Sequence, residues 1–248
     1  MNIFRYFGFT AHGDEYRLKI SCGLFNRREY RITSAHINYT DLRQNLIMKF
    51  LGTVAVNISC AGYGSAKNHL PVLLPVGKEK NIGKTLGKIG IFGGASNEFR
   101  PQKNGWWQYI WKPVITAVMI FPLHIFTGKI FPDISELTFF FSVMSAVPLL
   151  WFLAVGFTSF FTSGVSFCDS KIILRCSNGT DFHTVVAERS HIVKVGIRQT
   201  VFQQINGKCT LLLWIGSEER SHFRIKSLKL SDAVEICKML DYNINECF

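Results

Sequence analysis

Two long apolar stretches separated by five residues constrain this chain more than anything else in it. The first, Ile110–Phe131, has the core PVITAVMIFPLHIFTGKIF, and the second, Leu137–Phe161, reads LTFFFSVMSAVPLLWFLAVGFTSFF without a formal charge. A helix needs about 20 apolar residues to cross the hydrocarbon layer of a bilayer, and each stretch supplies them. Pro132–Glu136 leaves room only for a tight turn. The pair therefore predicts a two-helix transmembrane hairpin over 110–161, with both chain ends on one side. Arg100, Lys103 and Lys112 precede it, Lys171 and Arg175 follow it, and the turn offers Lys129 against Asp133 and Glu136. The positive-inside rule sends both termini to the cytoplasm. Trp106, Trp107, Tyr109 and Trp111 form an aromatic belt at the inner interface.

Polar groups inside the spans are few. His124 is an ionisable residue within a membrane helix, and such residues mark pathways or ligand contacts; the plainer reading is a neutral ring bonded to the partner helix. Ser145 is the other intramembrane polar candidate. Pro122 and Pro148 are expected to kink their helices, with Thr116, Ser142 and Ser145 near enough to satisfy freed carbonyls. Lys129 is expected to snorkel outward.

Composition agrees with a membrane protein. Apolar residues make up 48 % of the 248, with 22 Phe, and mean hydropathy is +0.17, which excludes a disordered chain. The net charge of +11 is uneven. Residues 1–112 carry sixteen Lys/Arg against six Asp/Glu, whereas 113–161 sum to −1 and 162–248 to +2. Such a bias suits nucleic acid or an anionic membrane face, and the apolar centre decides for membrane and against nucleic acid. The seven cysteines are scattered, with no CxxC pair and no zinc-ligand spacing, so free thiols and no metal site are expected. The N-terminus lacks the continuous apolar run of a cleavable signal. Asn38, Asn57 and Asn178 begin glycosylation-like triplets, which carry no meaning in segments kept in the cytosol.

The flanking halves repeat each other. Shifted by 155 residues without a gap, His36-Ile37 falls on His191-Ile192, Arg43-Gln44 on Arg198-Gln199, and Gly52 on Gly207. Leu46 and Ile47 meet Val201 and Phe202. Val54, Val56 and Ile58 meet Cys209, Leu211 and Leu213, the inward positions of an alternating strand. The chain thus divides into a first domain at 1–92, a basic and aromatic linker at 93–109, the hairpin at 110–161 and a second domain at 162–248.

In the first copy, strands are expected at Phe4–Thr10 and Tyr16–Cys22 around Gly13-Asp14, then at Glu29–Ser34, Ile37–Asp41, Thr53–Cys60 and His69–Leu74. Lys78–Lys88 reads as a short basic helix. In the second they fall at Ser166–Phe167, Lys171–Cys176, His183–Val186, Ile192–Ile197, Cys209–Ile215 and Ser221–Ser227. Leu230–Leu240 closes the chain as a helix capped by Ser231, with Ala233, Val234, Cys237 and Leu240 on its apolar face. Each copy reads as a small β-barrel plugged by a C-terminal helix, and the whole as an α+β membrane protein.

The segment GLFNRREYRITSAHINYTDLRQNLIMKFLGTVAVNISCAGYG resembles the signature of the bacterial pleckstrin-homology (PH) family of membrane-flanked, YdbS/YdbT-like proteins. Gly23-Leu24, Arg27-Arg28, Ile37, Gln44, Gly52 and Gly62 occupy its positions. The second copy keeps Ile192, Gln199 and Gly207 but has Asn178-Gly179 at the Gly-Leu turn. The resemblance implies two PH-like barrels flanking the hairpin, and a role in tolerance of envelope-directed antimicrobial peptides, including bacteriocin immunity.

Catalytic patterns are missing. Gly77–Thr85 has five residues between its glycines where a phosphate-binding loop needs four, and no HExxH, paired-carboxylate or Ser-His-Asp pattern occurs. No enzyme activity and no cofactor are expected. His36 and His191 recur by duplication and read as strand-end residues. Arg43, Gln44, Arg198 and Gln199 read as ligand contacts or, preferably, as caps of backbone groups where the strand turns. The leading binding set is basic: Arg27, Arg28, Arg31, Lys78, Lys80, Lys84 and Lys88, each gaining roughly 1 kcal/mol beside an anionic leaflet, or else simply a solvated face. The first hairpin, Ala11–Glu15, is acidic, which argues against specific phosphoinositide recognition. The expectation is a non-enzymatic, multi-pass protein of the cell membrane acting in protein assembly or lipid contact. Its partners would be membrane lipids and another membrane protein or a second copy of itself. The alternative is an accessory subunit of a transporter or exporter.

Overall fold

The structure, a computed structural model, describes residues 10–13, 17–23, 27–33, 36–60, 72–78, 98–168, 170–216 and 222–242. The first copy supplies β1 (Thr10–Gly13), β2 (Arg17–Cys22), β3 (Arg28–Thr33), β4 (Ile37–Asn45), α1 (Leu46–Phe50), β5 (Thr53–Cys60) and β6 (Val72–Lys78). Then come the long helices α2 (Trp107–Ile130) and α3 (Ser135–Thr162). The second copy supplies β7 (Gly164–Cys168), β8 (Lys171–Asn178), β9 (Asp181–Glu188), β10 (Ile192–Arg198), α4 (Val201–Ile205), β11 (Lys208–Ile215), β12 (His222–Lys229) and α5 (Leu230–Met239).

The 155-residue repeat holds element by element. β4, α1 and β5 begin at 37, 46 and 53, and β10, α4 and β11 at 192, 201 and 208. Gly52 and Gly207 both turn the chain out of the short helix at positive φ, +63° and +60°, a conformation that costs other residues about 1 kcal/mol.

The strands do not sort into two separate barrels. Among the described residues they form three sheets: β1-β2-β3, β10-β11-β12, and a continuous six-stranded sheet in the order β6-β5-β4-β9-β8-β7. The second half of one copy is zipped to the first half of the other by antiparallel pairing of β4 with β9, from Tyr39↔Ala187 to Asn45↔Asp181. The sheet carries one core on each face. Leu42, Val54, Val56, Ile58, Ile173 and Val186 pack with Ile20 and Ile32 on one side. Ile172, Leu174, Val185 and Ala187 pack with β10–β12 and α5 on the other. This two-sided burial accounts for Ile172, Ile173 and Leu174, three consecutive residues, all being at 0–1 % exposure: a strand covered on both faces reads as a continuous apolar run.

Several boundaries differ from expectation. Gly13 belongs to β1, paired with Leu18. Lys78 ends a strand rather than starting a helix, and the remainder of that proposed helix, with Phe4–Phe9 and the bulk of the first copy's C-terminal segment, lies outside the described residues. Helix α5 begins at Leu230 with Lys229 as N-cap, while the Ser231 hydroxyl donates to Asp232 Oδ1 at 2.9 Å. The buried face of α5 is Ala233, Ile236 and Cys237, with Leu240 just beyond; Val234 is half-buried. The described cysteines are free thiols.

Helices α2 and α3 are long and apolar enough to cross a membrane, with mean hydropathy of 1.5 and 2.0 over their best windows. At about 1.5 Å per residue, their 24 and 28 residues exceed a hydrocarbon thickness of ~30 Å. Pro113, Pro122 and Pro148 lie inside them. The expected hydroxyl repair of the freed carbonyls is not what is seen: Thr116, Ser142 and Ser145 donate to the carbonyls of Lys112, Thr138 and Ser142, whereas a proline at 122 or 148 frees those of residues 118 and 144.

The second copy grips both roots of this hairpin. Phe99 and Val165 exchange both backbone hydrogen bonds at 2.9 Å, Gln102 N–H donates to the Ser227 carbonyl at 2.8 Å, and Lys208 Nζ to the Asn104 carbonyl at 2.9 Å. Tyr109 donates from its hydroxyl to the Lys226 carbonyl at 3.0 Å and stacks edge-on with Phe160. Ser159 near the end of α3 bonds Ser177 of β8. The basic linker is thereby part of the second copy's structure from residue 98 onward.

Candidate functional site

A hollow of about 310 Å³ opens where the central sheet meets the last turn of α3. Its walls include Gln44 of β4, Lys49 of α1, Arg100 of the linker, Phe161 and Thr162 of α3, and Arg175 of β8. Three cations from three separate parts of the chain thus face one space, and none of its described lining residues is a carboxylate. Lys49 is steered there by lying over the Phe182 ring at 4.7 Å, a cation–π contact. Arg175 stands opposite Thr184 in the β8–β9 register, and Arg100 follows the Phe99 bridge to β7. Such an arrangement suits an anionic group: Arg matches the oxygens of a phosphate bidentately and Lys adds a point charge.

Behind the hollow runs a polar seam between the copies. Asp41 is 1 % exposed. Arg43 Nε donates to its Oδ2 at 2.6 Å, and His183 Nδ1 of β9 lies 3.0 Å from the same oxygen. His183 lines both the basic hollow and a second one of about 320 Å³ on the other side, with Tyr39, Arg43, His222 and Arg224. Burial pushes the Cys176 thiol up to about 12, with the Asp41 charge adding to it; this cysteine lines both hollows as an inert neutral group.

The residues singled out from sequence fare unequally. Gln44 and Gln199 have the same task in the two copies: Gln44 Nε2 donates to the Thr53 carbonyl at 2.9 Å and Gln199 Nε2 to the Lys208 carbonyl at 2.8 Å. They tie the strand before each short helix to the strand after it. Arg43 is engaged with Asp41, whereas Arg198, its repeat mate, is exposed at the end of β10; Gly196 stands where Asp41 would be. His36 is exposed just before β4, and His191 Nδ1 lies 3.1 Å from the Asn38 carbonyl, a second tie between copies. The basic set is not one patch. Arg27 bonds Ser21 Oγ at 3.1 Å and lies 3.8 Å from Glu29; Arg28 and Arg31 sit on β3. Lys78 pairs with Thr53, next to α1. Lys80, Lys84 and Lys88 lie outside the described residues. His124 packs against Phe139, ring centres 6.0 Å apart, and its buried Nδ1 has no hydrogen-bond partner among the described residues. Ser145 bonds its own helix.

Sequence reasoning missed Lys49 altogether and used Arg100 and Arg175 only as orientation charges. Nothing in their spacing joins residues 49, 100 and 175; the β4–β9 pairing does. Among the described residues no group of His, Cys, Asp and Glu could hold a metal ion.

In comparison with known families, the model of the Bacterial PH domain matches residues 1–87. No curated protein and no solved structure matches the chain.

Proposed function

With residues 1–87 matching the Bacterial PH domain, we propose that this chain is a membrane-anchored, non-enzymatic PH-like protein whose basic hollow takes the phosphate headgroup of an anionic lipid at the cytoplasmic face. The observation that carries this reading is the convergence of Lys49, Arg100 and Arg175 on a space walled by Phe161 and Thr162. These are the last residues of an apolar helix long enough to span a bilayer, so the cations stand at headgroup level. A headgroup held there is in reach without leaving the leaflet, and each cation contributes roughly 1 kcal/mol near an anionic surface. The second copy is a diverged PH-like domain, and joining both through one sheet gives the hairpin a rigid base.

Native mass spectrometry of the full chain released from detergent tests the reading. Phosphatidylglycerol is expected to stay bound in preference to phosphatidylethanolamine, and Arg100→Ala with Arg175→Ala to abolish the preference. Equal retention of both lipids by the unaltered chain would sink it.

The buried Nδ1 of His124, without a hydrogen-bond partner among the described residues, favours a second reading, an accessory subunit of a transporter whose own helix supplies that partner. His124→Phe would then release a co-purifying membrane protein, while the Arg100 and Arg175 changes would not. A role in envelope defence rests on the family resemblance, and deletion of the gene followed by challenge with antimicrobial peptides tests it.

A further inference from the structure

The short helices α1 and α4 are the same element in the two copies, and each exposes a cluster of apolar side chains. On α1 and its C-cap, Ile47, Phe50 and Leu51 are 55, 92 and 65 % exposed; on α4, Val201, Phe202 and Ile205 are 71, 81 and 77 % exposed. The repeat puts Phe202 at the place of Ile47, and Ile205 at that of Phe50. One polar member of each helix, Lys49 and Gln203, points the other way, while Gln204 is exposed. Lys49 lines the basic hollow beside Phe161 and Thr162 of α3. Gln203, 3 % exposed, donates to Gln108 in the first turn of α2 at 2.9 Å and to Thr210 Oγ1 at 3.0 Å. One helix is thus anchored at the exit of the hairpin and its twin at the entrance, each with its apolar side turned outward.

From this placement we infer that α1 and α4 are paired lipid-inserting tips, which dip into the interfacial layer of the same leaflet on either side of the hairpin root. The inference rests on the reading of α2 and α3 as membrane-spanning and adds to it a second, duplicated mode of contact. A bilayer is the occupant that accounts for both tips at once. The two patches lie beside the two ends of the helices that enter the lipid, and an interfacial surface takes up apolar side chains beside cations such as Lys49 and Arg100. A protein partner would have to match two separated patches made of different residues, Ile47-Phe50-Leu51 and Val201-Phe202-Ile205.

Photo-crosslinking in vesicles of phosphatidylethanolamine and phosphatidylglycerol tests this with the full chain. p-Benzoylphenylalanine replaces Phe50 or Phe202, with Phe141, 62 % exposed within α3, as the embedded control and Val193, 66 % exposed near the far end of β10, as the aqueous control. Lipid adducts read by mass are expected at positions 50 and 202 at a yield within about threefold of position 141, and about tenfold or more above position 193, as interfacial burial requires. Lipid adducts at 141 with none at 50 and 202 would overturn the tips and leave the membrane anchor standing. No lipid adduct at 141 would overturn both. Protein adducts in place of lipid at 50 or 202 would identify the patches as docking sites and overturn the inference.

Discussion

His183 Nδ1 on β9 lies 3.0 Å from the buried Asp41 Oδ2 on β4, a contact between residues 142 apart in sequence that spans the joint between the two copies. Asp41→Ala is expected to lower stability by about 2 kcal/mol, the cost of leaving a buried polar partner unsatisfied. Arg43, with its side chain half in water, can rehydrate and contributes little to that loss. A double-mutant cycle with His183→Ala, followed by denaturant unfolding in micelles, is expected to give a coupling of about 1 kcal/mol. Additivity within ~0.3 kcal/mol would mean that the pair does not hold the joint.

The two glutamines make a sharper comparison because their tasks match. Gln44→Ala and Gln199→Ala each strand one backbone carbonyl and remove one tie across a short helix. Each is expected to cost about 1 kcal/mol, and the double variant to lose the sum. Thermal unfolding of the three variants checks this; an unaffected Gln199→Ala beside a damaged Gln44→Ala would contradict the structural equivalence.

Close packing at the hairpin root leaves no room for a methyl group. A Cβ on Gly156 would lie 2.9 Å from Ile110 Cγ2 and equally close to the Tyr109 carbonyl oxygen. Gly156→Ala is expected to destabilise by about 1–3 kcal/mol through overpacking and to weaken the Tyr109–Phe160 contact. Near-ultraviolet circular dichroism and unfolding report the two effects, and an unchanged melting point would rule out the tight root.

Cys176 sets an alkaline limit. Its folded-state value is raised to about 12 from the ordinary 9.0, so the neutral thiol is the form the fold favours. The stability this contributes is fully present below pH 9 and is lost as pH rises from 9 towards 12, at up to about 1.4 kcal/mol per pH unit. Cys176→Ala is expected to flatten the fall across the lower part of that window. Lys226, lowered mainly by burial, runs the opposite way and is common to both proteins, so the difference isolates the thiol.

How much of this was legible in the sequence depends on whether a feature is periodic or long-range. The pair of long helices was legible because two apolar runs of about 20 residues stand only five residues apart, and the helices fall within a few residues of the expected stretches. The duplication was legible because Gln44 and Gln199 keep the same bond at the same spacing. The shared sheet was not read, although Ile172-Ile173-Leu174 and Val185-Val186-Ala187 carried its signal as unbroken apolar runs in place of alternation. The basic hollow was beyond reach, since Lys49, Arg100 and Arg175 meet only once β4 finds β9. The apolar faces of α1 and α4 carried no sequence signal of their own, since a five-residue helix is too short to show which side faces out; only their exposure sets them apart.

The β4–β9 joint also dictates an order of events during biosynthesis. At 5–20 residues per second, the ribosome takes on the order of 10 s to deliver His183 after Asp41. Throughout that interval the outer edge of β4 presents unpaired amides, while the two apolar helices emerge. Nascent chains are thus held open at a sheet edge, a hazard for mispairing, until β9 has been made. The N-terminal copy can reach its finished state only after both apolar helices have been made, so its completion waits on the half of the chain that follows them.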